Sequence, residues 1–199
     1  MDAAGQGRGS LPVFFSLIGI QLGCLLVALL GIYLVSMEVS FLGSAVWVQL
    51  LLGLLGAVVT YVVALSLIRS ETLFGQILRR HCVQLTPVFS KLSVAQMVWV
   101  SIAAGVCEEL LFRGFLQSWL SQVSTPFLGL LGASVIFAIL HFASWVYFFL
   151  TLMIGLVLGI FYQISGGLVG VIVWHAGYDL LALIALIHFP HLLGIQRRA

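Results

Sequence analysis

Apolar residues dominate six long stretches of the chain, at residues 11–36, 41–68, 93–120, 126–142, 144–164 and 168–189. Most reach the roughly 20 residues that an α-helix needs to cross about 30 Å of hydrocarbon. Lipid tolerates only helices or closed β-barrels, and none of these stretches shows the period-two alternation of a barrel strand. The pattern therefore predicts six transmembrane helices. Short polar breaks separate them: a turn carrying Glu38, the sequence Ser124-Thr125-Pro126, and Ser165-Gly166-Gly167. The first stretch is longer than a signal-peptide core and lacks an obvious cleavage site, so it reads as an uncleaved anchor. The one sizeable polar segment, residues 69–92, holds Glu71, Arg79, Arg80, His81 and Lys91, with Leu73, Phe74, Ile77 and Leu78 at helical spacing. Such a segment is expected to lie along the membrane surface.

Composition removes the soluble alternative. Charged residues make up 7% of the 199 positions, against roughly 25% in soluble proteins, which leaves too little polar surface to face water. The expected fold class is all-α, a polytopic bundle of about six spans with its active site inside the bundle. Residues 1–92 form a two-span region with the surface segment, residues 93–199 a four-span core with a short tail, and both are expected to make one structural unit. No internal repeat is visible. The three cysteines, Cys24, Cys82 and Cys107, lie far apart and are odd in number, so they read as free thiols. A net charge of +2 gives no reason to expect nucleic acid. Arg8, the basic segment and Arg197-Arg198 fall on one side of an even number of spans, and Lys and Arg accumulate in cytoplasmic loops. Both termini are then cytoplasmic.

Ionisable residues inside the apolar runs are few and grouped. The third run contains Cys107-Glu108-Glu109-Leu110-Leu111-Phe112-Arg113, and each charge costs about 2.5 to 3.5 kcal/mol at mid-bilayer on insertion scales. Glu109 and Arg113 are four apart with the acid nearer the N-terminus, the favourable orientation for an ion pair on one face. Glu108 is offset by about 100° and has no countercharge on its own helix. A carboxylate so placed suits the abstraction of a proton from water, which makes Glu108 the candidate base. His141 closes the run Phe137-Ala138-Ile139-Leu140-His141, and His175 and Asp179 are four apart in the last run, on one face. Each group also has a plainer reading: a structural charge cluster or ion pathway, an interfacial histidine, a His-Asp hydrogen bond between helices. Taken together, the three groups should converge in one cavity. The run boundaries nevertheless put His141 near the cytoplasmic end of its helix and His175 in the outer half of the last one, so their depths differ.

Glu108-Glu109-x-x-x-Arg113, Phe137-x-x-x-His141 and His175-x-x-x-Asp179, in this order on successive helices, resemble the three motifs of the CPBP family of CAAX proteases and bacteriocin-processing (Abi) proteins. The likeness covers about residues 93–186. It implies intramembrane proteolysis of a membrane-associated protein or peptide, lipidated or bacteriocin-like, in a multi-pass protein of the bacterial inner membrane. By motif position, Glu108 and His141 would activate the attacking water, His175 and Asp179 would stabilise the oxyanion, and Glu109 and Arg113 would support them. One position departs from the family, which often has Asn where this chain has Asp179. An Asn donates to an oxyanion, and an Asp does so only as a neutral acid; that neutral donor is the state expected here.

Family members have been described both as metalloproteases and as glutamic proteases. His141, His175 and Glu108 would make a His2Glu zinc site with one open position. The chain lacks a His-Glu-x-x-His helix and has too few carboxylates to supply a ligand, a separate base and a partner for Arg113. A metal-free glutamate base without a cofactor is therefore the reading carried forward. Two other functional classes stand beside it. One is a non-enzymatic immunity or assembly factor, the other a small transporter in which Glu108 and Glu109 carry protons.

Overall fold

A computed structural model describes residues 3–43 and 45–195 of the chain, with side chains from residue 10 onward. The Arg197-Arg198 pair of the orientation argument lies outside the described residues, as does the side chain of Arg8. The described residues are helical, without a strand. In chain order they form α1 (Ala3–Leu34), α2 (Val46–Arg69), α3 (Leu73–Phe89), α4 (Val94–Glu109), a π-helical segment (Leu110–Gln117), α5 (Ser118–Val123), α6 (Pro126–Leu140), α7 (Trp145–Ser165) and α8 (Leu168–His188). A 3-10 turn, Pro190–Leu193, follows.

Local chemistry explains the boundaries. Ser93 opens α4 with a capping box, its hydroxyl accepting from the Gln96 amide while Gln96 Oε1 accepts from the Ser93 N–H. Thr125 caps α6, where Pro126 sits at the position that needs no N–H, and Ser144 caps α7. Gly166 ends α7 with φ 66°, a left-handed conformation that Gly adopts without a Cβ clash. The surface helix begins at Thr72, which caps Gly75.

Five helical rods are long and apolar enough to cross a membrane: Ser10–Leu34, Val46–Arg69, Val94–Val123, Trp145–Ser165 and Leu168–His188. The chain is an all-α membrane bundle. The fourth predicted run is the exception in length. Its helix has 15 residues and rises only about 22 Å at 1.5 Å per residue, short of the hydrocarbon thickness. His141, at its C-terminal end, therefore lies at a depth that a full-length span would have left behind. Beneath that end, α3 is tied to the turn between α6 and α7, with His81 Nε2 2.8 Å from Ser144 Oγ. His81 thus belongs to a docked surface helix.

Close approach of backbones sets the register of the core. A Cβ on Gly105 of α4 would lie 2.9 Å from Ala176 Cβ and 2.9 Å from the Ile172 carbonyl, and one on Gly53 of α2 would lie 2.6 Å from the Gly170 carbonyl. Small residues at such contacts let helices pack tightly where lipid provides no hydrophobic drive between them. Through them α8 is held against both α4 and α2. Trp174 Nε1 adds a bond of 2.8 Å to Thr60 Oγ1 across the second contact. All three cysteines are free.

Candidate active site

The Val94–Val123 rod carries the acidic centre. Glu109 is fully buried and Arg113 is 1% exposed, and Arg113 Nη1 donates to Glu109 Oε1 at 2.9 Å, the ion pair expected from their spacing. The other terminal nitrogen of Arg113 donates to the Gly155 carbonyl of α7 at 2.9 Å, and the guanidinium lies 5.1 Å above the Phe137 ring of α6. One cation therefore joins three rods. The π-helical segment begins at the residue after Glu109 and contains Arg113, and such segments are frequent at functional sites. Nothing in the periodicity of the sequence announced it.

Glu109 has a second partner. His175 Nδ1 lies 2.6 Å from Glu109 Oε1, and since a carboxylate only accepts, Nδ1 carries the proton. That turns the other ring nitrogen, Nε2, towards Glu108 Oε2 at 3.9 Å and Asp179 Oδ2 at 3.7 Å. The assignment of Glu109 as a partner of Arg113 alone was incomplete: it also sets the ring orientation of His175. The Tyr178 ring stacks on that imidazole at 5.2 Å.

His141 reaches the same carboxylate from the end of α6. Its Nδ1 is 2.9 Å from the Phe137 carbonyl, an acceptor only, so here too Nδ1 holds the proton and Nε2 presents a lone pair. Nε2 is 3.5 Å from Glu108 Oε2. The Phe137 ring fills the space between the histidines, 4.4 Å from His141 and 6.2 Å from His175. The apparent difference in depth disappears because α6 is short and His141 terminates it inside the bundle. Glu108, His141, His175 and Asp179 thus form one cluster. The side chains of His141 and Asp179 are both 33% exposed while those of Glu108 and His175 are nearly enclosed, so the cluster opens on one side. His188 and His191 lie at and beyond the end of α8.

One member of the cluster was missed from the sequence. Gln21 of α1 donates from Nε2 to Glu108 Oε1 at 2.8 Å, so Glu108, unpartnered on its own helix, is met by an amide from another. The available signal was that Gln21 is the one carboxamide in an otherwise apolar first run. Polar side chains in such runs face other helices.

Among the described residues no group of three or more His, Cys, Asp or Glu side chains is disposed to hold a metal ion. Gln21 holds Glu108 Oε1 and Glu109 holds His175 Nδ1, while Glu108 Oε2 and the Nε2 atoms of both histidines face one another.

The site is thus a helical membrane bundle's enclosure of carboxylates and histidines drawn from three rods. Residues 90–181 match the family of type II CAAX prenyl endopeptidase Rce1-like proteins. The match spans 92 of the 199 residues, and all four clustered side chains named from the sequence lie within it. The chain is also 36% identical over 84 residues to an uncharacterised protein, YpbD, of Bacillus subtilis (strain 168), a match covering 41% of this chain and 40% of that protein. The similarity thus spans about two fifths of the relative's length. No solved structure gives a significant match.

Proposed function

We propose that the chain is an endopeptidase that cleaves a membrane-associated protein or peptide with a water activated by Glu108 and His141. The observation that carries this reading is the convergence on Glu108 Oε2 of His141 Nε2 at 3.5 Å and His175 Nε2 at 3.9 Å. His141 Nε2 and an ionised Glu108 are both acceptors, so a water between them donates one O–H to each and turns an oxygen lone pair to the substrate carbonyl carbon. As the C–O bond forms, Glu108 takes the water proton and the carbonyl oxygen becomes an oxyanion. His175, held at Nδ1 by Glu109, donates from Nε2 when its ring is cationic, and Asp179 as a neutral acid donates beside it. Collapse of the intermediate breaks the C–N bond, and Glu108 returns its proton to the departing amine. The mechanism is metal-free, and full activity in purified protein without stoichiometric zinc is expected; loss of activity with removal of one bound zinc per chain would refute that part.

The substrate is approached from the side of the basic segment, since His141, at the open edge of the cluster, ends a short helix whose following turn is covered by α3. In the proposed topology this side is cytoplasmic, in a bacterial inner membrane. A single cysteine at Ser90 should then react with an impermeant maleimide only in inverted vesicles. The deciding experiment compares membrane-protein termini in cells carrying wild type and Glu108→Gln. General-base loss lowers rates by about 10² to 10⁴, so wild-type-dependent new termini should vanish with Glu108→Gln at equal protein abundance. Persistence of those termini would exclude Glu108 as the base and favour a non-enzymatic membrane factor.

A further inference from the structure

We propose that Gln21 is a positioning residue for the Glu108 base, supplied by a helix outside the matched segment. The proposal rests on the reading of Glu108 as that base. Gln21 is 8% exposed, and its amide is 2.8 Å from Glu108 Oε1 although the two residues are 87 apart in the chain. The nearest cation in sequence, Arg113, is engaged by Glu109 and the Gly155 carbonyl, and among the described residues no Lys or Arg pairs with Glu108. The Gln21 amide is thus the fixed donor to this carboxylate. It does two things. By holding Oε1 it fixes the carboxyl plane, leaving Oε2, which has no hydrogen-bond partner in the protein, facing the two histidines. By donating to the charged form it favours the state that can accept a proton.

The position of α1 makes this contact specific. Gln21 and Ala28 are seven apart and both buried, so they lie on one stripe of an otherwise lipid-facing helix. Below Gln21 on the same stripe, Ala28 packs with Leu110 and Leu111 of the π-helical segment. Cys24 of α1 and Cys107 of α4 flank the contact.

The test titrates Glu108 itself and needs no substrate. Dicyclohexylcarbodiimide modifies protonated carboxyls in apolar sites, and its attachment to Glu108 can be followed against pH by mass spectrometry of the full chain in detergent. The titratable groups facing Glu108 are Cys24 on α1, Cys107 and Glu109 on α4, His141 at the end of α6, Tyr147 on α7, and His175, Tyr178 and Asp179 on α8. All are unchanged in Gln21→Met, which keeps side-chain length and removes the donor. Its labelling midpoint should rise by about one pH unit, the equivalent of a tenfold change in ionisation. Gln21→Glu, which sets a second carboxyl against the first, should raise it further and serves where Gln21→Met fails to fold. Cleavage by Gln21→Met should show a lower kcat with its acid limb displaced in the same direction and an unchanged KM. A purely structural role for Gln21 would instead lower thermal stability with the midpoint unmoved. An unshifted midpoint in either folded variant overturns the proposal. Should Glu108→Gln cleave normally, the base assignment fails whatever Gln21 does; should Glu108→Gln be inactive while the Gln21 variants titrate like wild type, only the role of Gln21 fails.

Discussion

Helix α1 and the Val94–Val123 rod meet at Glu108, yet over an apolar 18-residue stretch of each, 6% of α1 is buried in the bundle against 56% of the rod. The rod packs Leu110, Leu111, Phe112, Arg113 and Gln117 into the core. Neighbours hold its buried polar groups: Arg113 donates to Glu109 and the Gly155 carbonyl, and Gln117 Nε2 donates to the Gly159 carbonyl at 2.9 Å. By contrast, α1 presents Leu22, Leu26, Leu29 and Leu30 outward and keeps only a thin stripe against the protein. Burial and involvement in the site are therefore separate properties here. In lipid, an apolar helix gains little by associating with another, so a peripheral helix is held by close packing and a few polar bonds. A single inward polar residue is enough to make α1 part of the site.

The comparison can be broken most forcefully in the rod. Arg113→Ala leaves Glu109 charged, buried and without its cation, and breaking such a pair typically costs about 3 to 5 kcal/mol. A large fall in thermal stability in detergent, together with lost activity, is expected, and stability equal to wild type would contradict the ion pair. On the α1 side the sensitive position is Gly31. A Cβ there would lie 2.3 Å from the tip of the Phe115 ring, which itself stacks on Trp119. Gly31→Val should push α1 away, with a loss of about 1 to 3 kcal/mol typical of overpacking. If Gln21 acts as proposed, cleavage should fall together with the carbodiimide titration shift. Wild-type stability and activity in Gly31→Val would mean that α1 is not held where the contact requires.

The smallest effect is expected at Asp179. Glu109, not Asp179, holds Nδ1 of His175, while Asp179 faces the opposite nitrogen at 3.7 Å. Asp179→Asn retains a donor in that place and leaves the His175 orientation intact, so activity within about tenfold of wild type is expected. Loss of the factor of about 10² to 10³ associated with an oxyanion donor, at unchanged stability and at every pH, would show that the charge of Asp179 is needed.

Much of this was written in the linear pattern. Six apolar runs became six helical rods, the last four within a few residues of their expected ends, because length and apolarity alone decide what can cross lipid and the caps at Ser93, Thr125 and Ser144 are local. The Glu109–Arg113 pair was legible for the same reason: a four-residue spacing on one helix is a local fact. The shortness of α6 was harder, since Leu140, His141 and Phe142 read as one continuous run, and only the break at His141 sets that side chain at the depth of Glu108.

What the sequence by itself determined is the class of molecule, an all-helical membrane protein with three polar motifs in a set order. Which carboxylate meets which partner was decided by tertiary structure. The bonds from His175 to Glu109 and from Gln21 to Glu108 join residues 66 and 87 positions apart. No periodicity within one helix can encode them, because they depend on how closely α8 and α1 approach the Val94–Val123 rod, at Gly105 against Ala176 in one case and at Gly31 against Phe115 in the other. Helix rotation and approach are set by side-chain packing between rods, and that is where adjacent glutamates acquired different partners.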